Sequence, residues 1–587
     1  MDAQISSKSQ AWSDTLKKLL SDEHTIMVVL GIMVGVIGGY GAVGFRYLIN
    51  FIQSIAYGSP DELLGIIEAV PWYMRIVIPA IGGLIVGPIV YFLAREAKGH
   101  GVPEVMYAVA LKQGIIRKRI VFIKALVSAV CIGTGGSVGR EGPIVQIGSA
   151  VGSSLGQLFN VSSNRLRTMV GCGAAAGIAA TFNAPIAGSI FALEIILGEF
   201  EIMSFSPIIV SAVSATAISR HYLGDVPAFI LPEYILHSPL EFPLYAFLGL
   251  FCALVGVGFT LFLYRTEDAW DAVKFPEYLK AVVGGLMMGS LGLVFPQVLG
   301  VGYGAIDQAL MVKLSWWFMG LLVLCKIFAT SITIGSGGSG GIFAPSLFLG
   351  AMAGGAFGTV VNYLFPSVAA SPGAYAVVGM GAVVAATTHG PLQAILIIFE
   401  MTGDYKIILP LMITCIISCL FARKLCGESI YTFKLIRRGI NIRGGKELNI
   451  LSSISVKNVM YHTVEMIPGN FLLKDLAKTL PKSRSNNFVV VDEKEHITGV
   501  LTFLDYYDYL FNDKLDNQAT VKDIMTKDVV TVSIEDNLDT AMKKITAGDY
   551  SILPVVTAED PLKMAGILTR RDILEAYDQA VIKKAIV

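Results

Sequence analysis

The stretch GSVGREGPIVQIG, Gly136 to Gly148, is a run of small residues that closes on a proline and continues as an apolar helix pattern. That order is a helix-start signal, because proline suits the first turn, where backbone N–H groups lack intrahelical partners. A second stretch, GSGGIFAPSLFLG (Gly338 to Gly350), reads the same way. At a constant offset of 202, Gly136 matches Gly338, Ser137 matches Ser339, Gly139 matches Gly341, Pro143 matches Pro345, Gly148 matches Gly350 and Gly152 matches Gly354. Further on, FNAPIAGSIFALE and THGPLQAILIIFE set Pro185 against Pro391 and Glu194 against Glu400, each glutamate nine residues past its proline. Two blocks that agree in order and spacing mark an internal duplication. Glycine-interrupted apolar segments at matching places in two halves point to a transporter-type site at the repeat interface, near mid-membrane.

Composition places these segments in lipid. Of 587 residues, 54% are hydrophobic and only 15% charged, against about 25% charged in soluble proteins. Apolar runs of the length needed to span a bilayer begin at Ile26 to Ile37 and recur at Ile76 to Phe92, Leu244 to Phe262, Trp316 to Ile334 and Ile407 to Phe421. A formal net charge of zero argues against nucleic-acid binding, which needs a basic surplus. The N-terminus carries charges of both signs and no small-residue cleavage site, so it does not read as a signal peptide. All seven cysteines precede residue 430 without paired spacing; they suit packing rather than disulfides or zinc. Beyond about residue 436 the composition becomes that of a soluble domain. Arg423, Lys424, Lys434, Arg437, Arg438, Arg443 and Lys446 cluster at this junction, and the positive-inside bias puts such a cluster in the cytoplasm.

A helix N-terminus buried in the membrane offers free N–H groups and the positive end of the macrodipole, which together bind an anion without a full positive charge. Two such termini from two repeats can face one point. Partial charges also allow release, as conduction requires. Glu141 lies inside one of these segments, and an intramembrane acid is by default a functional residue. Its carboxylate can take the anion's place when ionised and leave it when protonated; the plainer alternative is an ion pair with Arg140.

These residues resemble the CLC family of chloride channels and chloride/proton antiporters. Three segments carry the resemblance in order, GHGVPEV (Gly99 to Val105), GREGP (Gly139 to Pro143) and GGIFAP (Gly340 to Pro345), with FNAP (Phe182 to Pro185) and GESIYTFKL (Gly427 to Leu435) completing the set. The resemblance implies an α-helical polytopic membrane protein of about 18 intramembrane helices in an inverted repeat. It makes Glu141 the gate. It assigns the outer anions to backbone amides around Arg140, Glu141 and Gly142 and around Gly341, Ile342 and Phe343, and the central anion to the Tyr431 hydroxyl and the His100–Gly101 turn. It also implies a homodimer with one pore per subunit and chloride as the transported ion. Two departures stand out. His100 replaces the family's usual serine, which opens the selectivity among chloride, nitrate and other anions; its imidazole contacts the anion or titrates near neutrality, or else only the backbone matters at this position. Ile195 replaces the inner proton glutamate of the well-known antiporters, a channel-like pattern; Glu194, one residue earlier, points about 100° away on an α-helix and reads as structural, as does Glu400.

In the tail, VKNVM (Val456 to Met460) recurs as VKDIM (Val521 to Met525), and GVLTFLD (Gly499 to Asp505) as GILTRRD (Gly566 to Asp572), among short β-type runs and helical segments. This resembles a tandem CBS pair, an α/β unit. The resemblance makes Thr569 and Asp572 candidates for an adenine nucleotide (ATP, ADP or AMP), with Thr502 and Asp505 the weaker pair; no cofactor is required for transport. The expected organisation is a cytoplasmic segment 1–24, a membrane domain 25–436 with repeats about 25–225 and 240–436, a linker 437–452, and CBS repeats 453–511 and 512–587, in an integral protein of the plasma (inner) membrane with both termini cytoplasmic. A divalent-cation transporter would need converging oxygen ligands, and a membrane hydrolase a G-x-S-x-G or H-E-x-x-H motif. Few intramembrane carboxylates are available for the first. For the second no H-E-x-x-H occurs, the G-x-S-x-G spacing falls only inside the glycine-rich runs Gly135–Gly139 and Gly337–Gly341, and the membrane histidines His100 and His389 lie in separate segments; a P-loop is absent.

Overall fold

Small residues dictate how the apolar helices meet. A Cβ on Gly148 would stand 2.1 Å from the Gly173 carbonyl oxygen, and one on Gly350 would stand 2.3 Å from that of Gly379. The same backbone-to-backbone crossing is thus built twice, once per repeat, as close packing in lipid favours. The computed structural model describes residues 23–60, 63–225, 229, 238–440, 451, 454–461, 465–479, 487–494, 496–502, 505–507, 518–548, 550–557 and 560–586, the side chains of 477–479 and 581–586 excepted. The N-terminal segment to residue 22, most of the expected linker, including Arg443 and Lys446, and residues 512–517 of the expected second tail repeat lie outside these residues. The chain forms two compact units, Met1–Gly439 and Ile440–Val587, close to the change in composition near 436.

In the first half the membrane unit contains α1 (Glu23–Tyr57), α2 (Trp72–Leu93), α3 (Val102–Leu111), α4 (Ile120–Gly133), α5 (Glu141–Leu158), α6 (Ser163–Phe182), α7 (Pro185–Phe191) and α8 (Ile202–Leu223). The second half contains α9 (Glu241–Ala272), α10 (Glu277–Val294), α11 (Tyr303–Leu310), α12 (Trp316–Gly335), α13 (Phe343–Leu364), α14 (Pro372–Thr388), α15 (Pro391–Thr402), α16 (Ile408–Leu425) and α17 (Ile430–Arg437). Eight helices among the described residues are long and apolar enough to cross a membrane, and five apolar ones are shorter. Short apolar helices of this kind are what a mid-membrane site uses where the backbone lines a cavity. α5 and α13 begin at Glu141 and Phe343, two residues before the prolines that announce them, so each proline sits inside the first turn, where its missing N–H costs nothing.

One element breaks the repeat. α7 continues as a π-helical segment, Ala192–Leu197, whereas its counterpart α15 stays α-helical to Thr402. The 100° step between Glu194 and Ile195, expected for an α-helix, therefore does not apply.

The tail repeats its topology as its motifs announce. β1 (Met466–Pro468), β2 (Asn487–Val491) and β3 (Ile497–Thr502) form one sheet, followed after α18 (Val521–Ile524) by β4 (Val532–Ser533), α19 (Leu538–Gly548), β5 (Ile552–Val556), β6 (Met564–Thr569) and α20 (Arg570–Ile586). In each sheet the first strand pairs parallel and the last antiparallel with the central strand, and a register shift recurs at Val490/Val491 and Val555/Val556. Val456 and Val521, which open the repeated pentapeptides, are both fully buried.

Candidate functional site

The two glycine-rich segments meet. Gly139 N–H donates to the Gly341 carbonyl at 2.7 Å and Gly341 N–H donates to the Gly139 carbonyl at 2.6 Å, an antiparallel pair. Matched positions of the repeats therefore run in opposite directions here, as inversion demands. Immediately after the pair, α5 and α13 start. Among the described residues the N–H groups of Glu141, Gly142, Ile342 and Phe343 make no backbone hydrogen bond outside their helices, and as first-turn groups they have none within. Gly341 is a correction: its N–H is already bonded to Gly139, so it does not serve as an anion donor as expected. Arg140 is the N-cap residue of α5.

The third segment closes on the same point. Gly99 N–H donates to the Gly338 carbonyl at 3.1 Å, and the Gly99 carbonyl accepts from Gly340 at 3.3 Å. A Cβ on Gly142 would stand 2.2 Å from the His100 carbonyl oxygen and 2.9 Å from Gly341 Cα, so only glycine lets the three segments approach. Gly101, at φ +81°, turns the chain into α3. Tyr431 sits inside a capping box in which Ser429 and Thr432 bond reciprocally at the start of α17. Its ring centre lies 5.8 Å from that of His100, and both side chains are buried. His100 Nε2 lies 3.3 Å from Tyr264 Oη on α9, and Tyr264 donates to the Ile430 carbonyl. His100 Nδ1 is buried without a partner.

Glu141 is 1% exposed. Its Oε1 accepts from the Tyr303 hydroxyl at 3.0 Å, while Oε2 is buried without a partner. The Arg140 guanidinium lies 5.3 Å from the centre of the Tyr303 ring, and no Arg140–Glu141 ion pair forms among the described residues. Phe229 packs edge-on against the same ring, with centres 5.5 Å apart. Tyr303 was not singled out from sequence. The signal was there: GVGYG (Gly300 to Gly304) repeats the Gly-x-Gly of GHGVP at an offset of 201, and the glycines match in conformation, Gly99 and Gly101 at φ +78° and +81°, Gly300 and Gly302 at +58° and +88°.

A second unread signal is Lys124 and Lys326, which sit 202 residues apart in apolar runs. Both are fully buried. Lys124 Nζ donates to the Ala97 and Gly99 carbonyls at 2.9 and 2.8 Å, and Lys326 Nζ to those of Val298 and Gly300 at 3.0 and 3.1 Å. Each ammonium holds the Gly-x-Gly turn of its own repeat.

Ile195 lies in the π-helical segment, buried; a Cβ on Gly390 would touch its Cδ1 at 2.7 Å. Glu194 accepts from Leu392 and Gln393 N–H at 3.3 and 2.8 Å, and Glu400 from Ile186 and Ala187 N–H at 3.0 and 2.7 Å. In the tail, Asp505 accepts from Thr502 N–H and Oγ1 at 2.6 and 2.8 Å, and Asp572 from Thr569 N–H and Oγ1 at 2.8 and 2.7 Å. One oxygen of each candidate aspartate is therefore already engaged within its own turn.

The architecture defines a class: polytopic helical membrane proteins built on an internal repeat whose short, broken helices start against one another. Residues 82–423 match the family model described as voltage gated chloride channel, and 521–579 match the CBS domain model. The chain is 36% identical over 415 residues to a putative chloride channel protein ClcB-like of Ralstonia nicotianae, covering 70% of this chain and 97% of that one. It is 31% identical to the H(+)/Cl(-) exchange transporter ClcA of Vibrio parahaemolyticus, covering 70% and 89%. Chloride channel protein CLC-f of Arabidopsis thaliana matches at 29% identity, over 89% of this chain and 75% of that one. Among solved structures, a slow cyanobacterial Cl-/H+ antiporter superposes with a TM-score of 0.65 at 29% identity, covering 70% and 97%. A eukaryotic CLC transporter, at 20% identity and a TM-score of 0.62 over 93% and 97%, shares the fold. The chain belongs to the voltage-gated chloride channel (CLC) family, a family of transporters and channels, and CLC-family chloride transport is the function that membership supports.

Proposed function

We propose that this protein conducts chloride passively through a path between the N-termini of α5 and α13, with the Glu141 carboxylate as its gate. The observation that carries this reading is the Gly139–Gly341 pair, which sets two donor-rich helix starts against each other with Glu141 between them. Ile195, where coupled relatives place a proton-carrying glutamate, supports passive flow, as does the engagement of Glu194 by α15. The exchanger names of relatives about 31% identical favour a second reading, coupled antiport by another proton route. Purified protein in liposomes decides: chloride flux without magnesium flux is expected, and a chloride gradient should not drive protons uphill. Sustained chloride-driven proton pumping, abolished by E141Q, would establish the second reading.

The assembly is a homodimer with one path per subunit, in the plasma (inner) membrane with both termini cytoplasmic; cross-linking in native membranes tests the first point. The tail binds an adenine nucleotide through the remaining faces of Thr569 and Asp572. D572A should weaken ATP binding by the purified protein and leave conduction intact.

A further inference from the structure

The two ring nitrogens of His100 have unequal surroundings. Tyr264 has one hydroxyl proton and gives it to the Ile430 carbonyl, a group that only accepts. The 3.3 Å contact between Tyr264 Oη and His100 Nε2 is then a hydrogen bond only if Nε2 carries the proton. The neutral ring is the Nε2–H tautomer, and Nδ1 holds a lone pair. That nitrogen is buried and unpartnered, in a side chain beside Tyr431.

A lone pair repels an anion, whereas a proton on Nδ1 makes a cationic donor, the stronger kind of hydrogen bond. The groups facing the ring are Tyr264 on α9, Tyr431 and Lys434 on α17, Lys124 on α4, and Arg438 just past α17. Lys124 is held by carbonyls and Arg438 by Glu104 at 2.7 Å. Lys434 is 7% exposed and forms no hydrogen bond or ion pair among the described residues; a Cβ on Gly99 would stand 2.9 Å from its Nζ. Glu104 and Glu267 are the carboxylates that act on Lys434 from farther away. Among these cations a charged imidazole is sustained by an anion beside it, and the anion gains a charged N–H in return. Such mutual stabilisation is a reciprocal linkage.

We infer that His100 is a proton-linked anion ligand: a proton on Nδ1 and the central anion bind together between His100 and Tyr431, with the Lys434 amine beside the neighbouring Gly99. This deepens the proposed function and rests on it. Chloride binding is measured by calorimetry on the full-length protein carrying E141Q, which removes the gate's own titration, from about pH 5.5 to about pH 8. Affinity should fall as pH rises, by up to about tenfold per unit, the limit for one linked proton, and the heat should vary with buffer to reveal proton uptake on binding. H100N sets an amide near Nδ1 and H100S a hydroxyl, so both should bind chloride with an affinity independent of pH. If neither variant folds, proton uptake by the E141Q parent decides alone. A pH-independent parent, or a pH dependence that survives in H100N and H100S, overturns the inference and leaves the chloride path standing. Absence of chloride binding to the parent at every pH overturns the proposed function as well.

Discussion

Glu194 and Glu400 cap each other's helices. Glu194, at the end of the α7 segment, receives two N–H groups from the start of α15, and Glu400, on α15, receives two from the start of α7. An acid at a helix N-terminus satisfies orphan donors and meets the positive end of the macrodipole. The two intramembrane carboxylates thus form a structural clamp between the repeats from matching places in the sequence.

Breaking the clamp should cost stability and spare transport. E194A or E400A is expected to destabilise the protein by about 1–3 kcal/mol, the range for losing charge-assisted hydrogen bonds. Melting in detergent reads the loss, and chloride flux per folded protein should stay near the parent value. A flux defect with unchanged melting would reassign these residues to the path.

The proposed gate predicts the outcome of two variants. E141Q, fixed in the uncharged form, should make flux nearly insensitive to external pH. Y303F removes the hydroxyl that holds Glu141 Oε1, so flux at a given pH should rise roughly two- to tenfold, about 0.5–1.5 kcal/mol of latch. Parental pH dependence in E141Q would place the gate elsewhere.

G142A should abolish flux. Its methyl cannot fit 2.2 Å from the His100 carbonyl oxygen unless the GHGVPEV and GREGP segments part. G41A, at a glycine with open space around it, is the control and should be silent.

K124M and K326M should each reduce folded yield, because each would strand two carbonyls buried beneath a Gly-x-Gly turn. A cost of about 1–3 kcal/mol per unsatisfied group is the expected scale, read as lower thermal stability. Equal effects of the two would reflect their equivalent positions.

The tail offers a pH test outside the membrane. Thr520 N–H and Oγ1 both donate to Asp523 and hold its carboxyl below the usual range. This depressed value makes the cap's contribution full above the unfolded pKa of about 3.9 and lost as pH falls through the lower folded value. D523N should flatten the acid limb of tail unfolding; an unchanged limb would show that the cap adds nothing.

The sequence made the helix starts, the duplication and the tail topology legible because each leaves a local mark: Gly-Pro punctuation, a fixed offset, a repeated pentapeptide. The candidate residues Glu141, Ile342, Phe343, His100 and Tyr431, which the structure brings to the meeting point of the glycine-rich segments, were reachable for the same reason. What escaped depends on contacts between distant segments. That Gly341 gives its N–H to Gly139 follows from pairing across 202 residues, and that Tyr303 holds Glu141 follows from α11 returning to the mouth of α5. The π-helical turn at Ala192–Leu197 leaves no spacing signature at all, since nine residues separate proline from glutamate in both repeats.

The reciprocal hydrogen bonds of Gly139 and Gly341 also bear on how such a gene can evolve. Once two copies of an ancestral segment each supply half of one bonded pair, neither copy can drift freely or be deleted, since the survivor keeps an unpaired strand edge and half a binding point. The duplication is locked in. Two halves bonded in this way should act as an obligate heterodimer joined by a peptide tether, so a chain cut between α8 and α9 and co-expressed as two polypeptides should regain transport only when both are present.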